Sequence, residues 1–475
     1  MSSIWSMMDI GKRSMMNSQT ALQTVSHNIA NKSTKGYSRQ RVEVVANEPI
    51  TKGRLQIGSG ASTTRISRIN NQYLEKQLEG EQNQLGFLKA RDESLSRVEQ
   101  VFNEQSQKGL NHFLGEFFNS FRELSNNPES LATRTAVKES AHFLTKDFSR
   151  AVNQLKDIQK DIDFQIASHV EEINEMTREI AQLNEKIQTV ELNGVPANDE
   201  RDRRDQLIKE LSEKINIRYA EGKDGAVTIT AGNSAVLVSG HSHRDLIVAS
   251  TPGREGKQEG NFDILYKASE NSNPINVTAQ ITGGAVGGLL DVRDKVVNNL
   301  LDQLDEMAYS LAQEVNKAHV EGFNRYNKKG VLFFEPLKGV KGAAESLRLN
   351  PLIQSDVGQI AAAAQPNAPG DNRIANILSS LQYKKVLQDK TSTFDDFYNS
   401  IVSKVGIETS RARSAFEAQS DIFNQLKNLR ESISGVSLDE EATKMIEFQK
   451  SFDASARMIR AADEMMDTVL NLKRY

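Results

Sequence analysis

The 475-residue chain contains no cysteine, which excludes disulfide bonds, thiolate metal sites and a cysteine nucleophile. Acidic and basic residues nearly balance, and the net charge of −4 gives no basic field that would favour nucleic acid as a partner. No apolar run approaches the ~20 residues that span a bilayer. Asp9, Lys12 and Arg13 also interrupt the start of the chain, where a cleaved signal peptide needs a continuous apolar core. We therefore expect no membrane insertion and no general-secretion signal.

Proline is absent from both ends of the chain, because all nine prolines lie between Pro49 and Pro369. A proline inside a helix costs about 3 kcal/mol, so its absence permits long helices at the ends. Beyond Asp371 only Gly406 and Gly435 interrupt a charge-rich sequence. This composition predicts nearly continuous helix from about residue 371 to the end.

Both ends carry apolar residues at alternating spacings of four and three, which place one narrow apolar stripe along a helix. The N-terminal stripe comprises Met8, Met15, Leu22 and Ile29, with Ile4, Ser18 and Val25 between them. The C-terminal stripe comprises Met445, Phe452, Ile459 and Met466, with Phe448, Ala462 and Val469 between them. Neither stripe can be buried within its own helix. We therefore predict an assembly interface in which the ends pair with each other or with other copies of the chain.

The pattern between the ends predicts a mainly α fold with an inserted all-β domain. Residues 39–69 favour extended segments and hairpins, whereas 157–192 carry a heptad pattern that predicts about 50 Å of helix, followed by a return helix over 199–215. Gly-bounded β-branched runs predict a small β domain over 216–282. The predicted domains are an assembly domain (1–38 plus 436–475), an elongated helical domain (39–215 plus 283–435) and the β insertion.

Signals of catalysis are weak throughout the chain. His241 and His243 could share one side of a strand but lack a third ligand nearby, and His169 falls within the heptad stripe of the long helix. The glycine-rich run 283–288 has Ala285 where a dinucleotide loop needs its second glycine. We interpret that run as a hinge into the next helix. We predict no catalytic residue, no metal and no cofactor.

The two ends also carry recognisable signatures. Residues 21–40 read ALQTVSHNIANKSTKGYSRQ, and the C-terminal counterparts lie at 434–441, 448–449, 454–457 and 463–472. Together they resemble the terminal motifs of the bacterial flagellar rod, hook and hook-associated axial proteins, with residues 36–40 most similar to the hook-associated members. The family's turn motif falls on Asn28, Asn31, Gly36 and Tyr37. His27 replaces the usual asparagine and Lys35 stands where proline is common, so the turn is expected to be less rigid.

The resemblance implies a structural subunit outside the cell, at the junction between hook and filament. It further implies type III export, a chaperone on the C-terminal helix, and contact with other copies in a ring, with hook protein and with hook-associated protein 3. A hook or rod subunit remains an alternative because it shares the N-terminal motif. A cell-wall enzyme carried on an axial scaffold is a more distant one, since the insertion offers no evident catalytic group.

Overall fold

The computed structural model describes residues 2–52, 54–102, 109–250, 261–269, 272–388 and 390–472. The α-helices in these residues are α1 (Ser2–Ala30), α2 (Gln72–Val101), α3 (Leu110–Asn126), α4 (Leu131–Glu191), α5 (Asn198–Lys214), α6 (Gly284–Asp291), α7 (Asn298–Glu321), α8 (Ala343–Ser346), α9 (Pro351–Ser355), α10 (Arg373–Ser380), α11 (Phe394–Ser434) and α12 (Leu438–Leu472). The strands are β1 (Gln40–Ala46), β2 (Ile50–Lys52), β3 (Leu55–Ile57), β4 (Ala61–Arg68), β5 (Ile217–Glu221), β6 (Val227–Ala231), β7 (Ala235–Ser239), β8 (Ser242–His243), β9 (Leu246–Ser250), β10 (Phe262–Tyr266) and β11 (Ile275–Asn276). The prediction of a mainly α fold with inserted β structure is confirmed.

The longest helix, α4, has 61 residues and so extends about 90 Å. It begins earlier than the heptad pattern predicted because the hydroxyl of Ser130 caps it, accepting a hydrogen bond from the backbone N–H of Thr133. After α4 ends, the chain reverses at Gly194, whose φ of +74° suits glycine. The return helix α5 packs back along α4, and Arg201 pairs with Glu191 at 2.6 Å. The predicted antiparallel helical hairpin is therefore present.

The predicted insertion contains two small antiparallel sheets. One has the strand order β5-β6-β7-β8 and the other β11-β10-β9. Asn184 of α4 binds the first sheet by donating to the backbone carbonyls of Val227 and Gly240, 2.9 Å away in each case. Asn174 of α4 binds the second sheet by donating to the carbonyl of Leu246 in β9 at 2.9 Å. Within the predicted range, residues 251–260 and 270–271 lie outside the described residues, as do 473–475 of the predicted assembly domain.

The hairpins predicted near the N-terminus are present as two antiparallel pairs. Strands β1 and β4 pair along their length with a bulge between Glu43 and Val44, and the shorter β2 and β3 pair beyond them. Arg13 of α1 donates to the carbonyl of Ser59, 3.2 Å away, and Asn17 donates to that of Ala61 at 2.8 Å. These bonds hold the hairpins against α1.

The glycine-rich run 283–288 allows close packing between helices. A Cβ at Gly288 would lie 2.3 Å from the carbonyl oxygen of Phe87 in α2, and one at Gly284 would lie 2.5 Å from the backbone nitrogen of Ile215. Helix α6 can therefore approach α2 and the end of α5 only because these positions lack side chains. This contact explains the glycines without a nucleotide.

The helix predicted from about residue 371 is interrupted, so that prediction was wrong over 384–388 and 390–393. Helix α10 ends at Ser380, and an isolated bridge joins Leu387 to Ser392 before α11 begins. Thr393 caps α11 by accepting a hydrogen bond from the backbone N–H of Asp396 at 3.1 Å. Threonine followed by acidic residues is a helix-start signal, and it marks the restart that composition alone did not predict.

No helix in the described part of the chain is long and apolar enough to cross a membrane.

Candidate assembly interface and the turn that joins the chain ends

Helices α1 and α12 pack against each other in antiparallel orientation. A side chain added at Gly11 would meet Ile459, Ser18 donates to the hydroxyl of Ser451 at 3.1 Å, and Asn28 lies beside Glu441. Residue numbers rise along α1 as they fall along α12, which defines the direction. The structure therefore describes the first of the two arrangements that the sequence left open, in which the ends pair within one chain.

Small side chains on α1 form the line of closest contact with α12. The α1 residues at this line are Gly11, Ser14 and Ser18, and the buried Ala21 and Val25 continue the same spacing. Ser455 donates to the hydroxyl of Ser14 at 2.7 Å, so the two backbones approach closely and hydroxyl groups satisfy one another. The large residues of the predicted stripe flank this line instead of forming it.

Most of the predicted interface residues remain partly exposed after the two helices pair. Val25 and Ala462 are buried. The partly exposed ones are Met8, Met15, Leu22, Ile29, Met445, Phe448, Phe452, Ile459, Met466 and Val469. Beside them Trp5, the single tryptophan of the chain, is 58% exposed, and Met16 and Ile446 are similarly open to solvent. The pair of helices therefore leaves apolar surface that only further contacts could bury.

The turn after α1 is organised by the buried side chain of Asn28. Its Nδ2 donates to the carbonyl of Gln40 at 2.9 Å and to the carboxylate of Glu441 at 2.8 Å. Its Oδ1 accepts from the Tyr37 hydroxyl at 2.8 Å and from the backbone N–H of Gln40 at 2.9 Å. An asparagine amide offers two donors and two acceptor sites, and all four are used here. No other uncharged side chain of this size could make the same set of bonds.

The carboxylate of Glu441 is buried at the same place, where Arg39 compensates its charge. The Nε of Arg39 lies 2.8 Å from one Glu441 oxygen, and a second nitrogen lies 2.7 Å from Glu440. Burial opposes the charge on Arg39, but the hydrogen bonds to these two glutamates raise the pKa of its guanidinium. The backbone N–H of Arg39 also donates to the carbonyl of Ser434 at 2.9 Å. The turn is therefore bound to the link between α11 and α12.

Other residues dock the turn on α5. The backbone N–H of Ser38 donates to Asp202 at 2.8 Å, and Arg68 contacts the other oxygen of that carboxylate at 2.7 Å. Gly36 has a φ of +84°, and a side chain there would collide with Gln206. Burial, with help from nearby carboxylates, raises the pKa of Tyr37, so its hydroxyl stays protonated as the donor to Asn28. The predicted turn motif thus has Asn28, Gly36 and Tyr37 in one connected network.

Asn31 has a local role at the end of α1. Its Nδ2 donates to the carbonyl of His27 at 3.1 Å, and its Oδ1 accepts from the Thr34 hydroxyl at 3.1 Å. These bonds satisfy backbone groups that the helix end leaves without a partner. Asn31 therefore shapes the turn through local bonds.

Sequence reasoning missed Arg39, Gln40 and Glu441 as functional residues. A signal was present for Glu441, since it lies seven residues before Phe448 and so falls on the stripe of α12. An acidic residue at that position requires a partner, and the partner comes from the opposite end of the chain. No rule of local spacing could identify it.

The histidines singled out in the sequence are not gathered into a metal site. His241 is exposed and His243 lies 4.0 Å from Asp245, while His169 lies 3.3 Å from Lys214. Over the described ranges, no group of three or more histidine and acidic side chains could hold a metal ion.

Comparisons with known proteins agree with this geometry. The family model described as the flagellar hook-associated protein FlgK helical domain matches residues 95–334. The model described as the flagellar basal body rod FlgEFG protein C-terminal matches residues 430–472.

Full-length relatives are also found. The chain is 28% identical to flagellar hook-associated protein 1 of Bacillus subtilis (strain 168), over 99% of both chains. It is 26% identical to the protein of that name in Salmonella typhimurium, over 96% of this chain and 97% of the relative. The hook junction protein FlgK of Burkholderia pseudomallei, at 15% identity, has the same fold with a TM-score of 0.68, covering 75% of this chain and all of that structure. With half of its length matched by the family model, this chain belongs to the flagellar hook-associated protein FlgK family.

Proposed function

We propose that this protein is a structural subunit of the bacterial flagellum that forms the junction between hook and filament. In this proposal it assembles with other copies through its N- and C-terminal helices. The observation that carries the proposal is the partial exposure of ten large or medium apolar residues on α1 and α12 after these helices have paired. In a protein that functions as a monomer, we would expect these apolar side chains to be buried within its own fold.

Burial of the flanking residues supplies the driving force. Removing a Leu, Ile, Met or Phe side chain fully from water contributes roughly 1.5–3 kcal/mol, and residues such as Met15, Leu22, Phe452 and Ile459 have only part of that gain in the pair. Neighbouring copies arranged around an axis would cover both flanks of each pair. Association would then order the ends more firmly than the free chain does.

The same proposal retains the domain division drawn from the sequence. Residues 1–38 and 436–475 form the assembly domain, 39–215 and 283–435 the elongated helical domain, and 216–282 the inserted β domain. The network around Asn28 lies where the first two would meet, and it supports a boundary there because α1, α5, α11 and α12 all contribute to it.

We further propose that the subunit reaches the flagellum by type III export, with a chaperone bound to α12 beforehand. Its partners would be other copies in a ring, hook protein and hook-associated protein 3. Acidic residues in the first turn of α12 and its apolar stripe make an amphipathic helix that a chaperone groove could hold. The absence of cysteine suits a chain that must cross a narrow channel unfolded.

Electron microscopy of a strain that lacks this protein tests the proposal. We expect hooks without filaments, with flagellin lost to the medium, and recovery of filaments when the intact chain is restored. A chain truncated before α12 should fail to restore them even when it is exported. Normal filaments in the deletion strain would contradict the junction role.

The match of residues 430–472 to the rod-protein C-terminal model keeps a second candidate open, a hook or rod subunit. The two differ in phenotype, because loss of a rod or hook subunit removes the hook itself. A cell-wall enzyme is a third candidate. Clearing of peptidoglycan by the purified chain in a zymogram would favour it, and no clearing would count against it.

A further inference from the structure

Methionine is concentrated at the two ends of the chain. Nine of the eleven methionines lie within residues 1–30 and 438–472, and only Met176 and Met307 lie elsewhere. Helices α1 and α12 carry eight of the nine, namely Met7, Met8, Met15, Met16, Met445, Met458, Met465 and Met466. Because the chain has no cysteine, these two helices hold most of its sulfur.

The terminal methionines are open to solvent, whereas the internal ones are not. All eight on α1 and α12 stay at least partly exposed after the helices pair, and the most exposed are Met16 at 56% and Met465 at 43%. Met307 of α7 is completely buried, and Met176 of α4 is 9% exposed. A reagent in solution that attacks the thioether group therefore meets the ends of the chain first.

These methionines flank the line along which α1 and α12 make their closest contact. The two side-chain hydrogen bonds on that line join serine to serine, from Ser18 to Ser451 and from Ser455 to Ser14. Met458 lies beside the line, with its Cε 3.3 Å from the position that a Cβ at Gly11 would take. The hydrogen bonds that hold the pair involve no thioether, so the exposed methionines remain available to neighbouring copies.

Methionine gives such a surface both an advantage and a weakness. Its unbranched thioether side chain adapts to partners of different shape, which suits a subunit that, in the proposed junction role, meets other copies and two different proteins. Oxidation converts the same side chain into a polar, chiral sulfoxide that disrupts methionine-rich interfaces. The surface that favours assembly is therefore also the surface most open to oxidative damage.

We propose that the methionines of α1 and α12 are sites of oxidation by hydrogen peroxide in the free chain, and that their sulfoxides prevent association with other copies. An S–O bond forms as the O–O bond of the peroxide breaks. The hydroxyl proton of the transferred oxygen passes to the departing hydroxide, which leaves as water. Sulfur is oxidised by two electrons and the peroxide is reduced by two.

The second half of this inference rests on the proposed junction role. A sulfoxide oxygen is well solvated on the free chain and opposes burial where no donor meets it. It therefore weakens association only if other copies bury the flanks of α1 and α12.

Limited treatment of the purified full-length chain with hydrogen peroxide, followed by peptide mass mapping, tests the site. We expect sulfoxide first at Met16 and Met465, while the buried Met176 and Met307 serve as internal controls and stay reduced. Sedimentation under assembly conditions tests the consequence. We expect association at least about tenfold weaker than for the untreated chain, with an unchanged circular dichroism spectrum. Methionine sulfoxide reductases of both stereochemical classes should restore it.

A double variant, Met16→Leu with Met465→Leu, supplies the matched control. It keeps apolar side chains of similar volume but removes the two sulfur atoms that we expect to react first. Untreated, it should associate as the wild type does. After the same limited treatment, it should associate better than the treated wild type.

Sulfoxide formed as fast at Met176 and Met307 as at the ends would overturn the assigned sites. Unchanged association of the treated chain, or an equal loss in the double variant, would overturn the consequence. Those results leave the junction role intact, because the untreated chain and the deletion strain report on it separately. If the untreated chain itself failed to associate, the junction role and the consequence would fall together, while the peptide masses would still decide the site.

Discussion

The side-chain amide of Asn28 donates a 2.8 Å hydrogen bond to the carboxylate of Glu441, a residue 413 positions further along the chain. Both side chains are buried, and the bond joins the last turn of α1 to the first turn of α12. The turn that follows α1 therefore joins the two chain ends at a fixed register.

Replacing Asn28 by Asp should loosen this junction. The new carboxylate would face Glu441 in a buried site and would lose both donors, so we expect a local cost of about 1–3 kcal/mol or more. Amide exchange should accelerate over residues 28–40 and 434–441. Adding Glu441→Gln removes the repulsion and returns a donor, and should recover part of the protection. If the amides of the double variant exchange as fast as those of Asn28→Asp alone, the two side chains are not directly coupled.

Gly11→Ala should destabilise the pairing of α1 with α12, although alanine is the better helix former. The added Cβ would lie 2.7 Å from Cγ1 of Ile459, so the helices must separate or shift. Gly80→Ala in α2 is the matched control, because nothing lies within 4 Å of that position. For that variant we expect the free energy of unfolding to rise by up to about 1 kcal/mol, because alanine has the higher helix propensity. Thermal unfolding followed at 222 nm measures both, and equal gains would argue against the small-residue contact line.

Phe452→Asp should prevent assembly while the helical body stays folded. The side chain is only partly buried in the free chain, so its loss costs the monomer little, whereas a charge in a closed interface costs several kcal/mol. Sedimentation under assembly conditions and complementation of a deletion strain measure the effect. Phe164→Asp, on an exposed position of α4, should assemble normally. Wild-type filaments in a strain that carries the Phe452 variant would show that the C-terminal stripe is not part of the assembly interface.

Stability of the helical body should fall at mildly acidic pH because of His319. This side chain is fully buried, donates from Nδ1 to the carbonyl of Val331 at 2.5 Å, and accepts at Nε2 from the N–H of Ala361 at 2.8 Å. Burial, assisted by Arg134, lowers its pKa from 6.5 to about 4. The unfolded chain therefore binds the proton first, so the contribution is complete above pH 6.5 and is lost as the pH falls towards 4.

The loss amounts to about 3 kcal/mol at most. Urea unfolding of wild type and His319→Asn, compared at pH 7.5 and pH 5, should show a smaller pH dependence in the variant, whatever its absolute stability. His112→Gln, at an exposed histidine, should keep the wild-type dependence. Equal dependence in all three proteins would show that His319 does not titrate in this range.

Sequence patterns predicted what depends on neighbouring residues. The heptads of α4 and the lack of proline at the ends predicted the long helices, and the β-branched runs predicted the strands of the insertion. The interruption before α11 was not predicted, because the lack of proline favours a continuous helix there, whereas the helix-start signal at Thr393 marks a new one. The contact line of α1 was missed only in part: the predicted stripe included Ser18 and Val25, but apolar spacing passes over Gly11 and Ser14, which also lie against α12.

Sequence analysis predicted only those residues of the site that lie near the N-terminus. Asn28, Gly36 and Tyr37 follow from the motif, but their partners Glu441 and Asp202 come from elements far along the chain. Pairings of that kind depend on tertiary structure, so no local rule could have supplied them.

Hydrogen exchange of α1 and α12, compared between a verified monomer and the assembled form, tests the central claim most directly. The account predicts weak protection of both helices in the free chain, below that of α4, and strong protection after assembly. Protection in the monomer as strong as in α4, and unchanged on assembly, would contradict it.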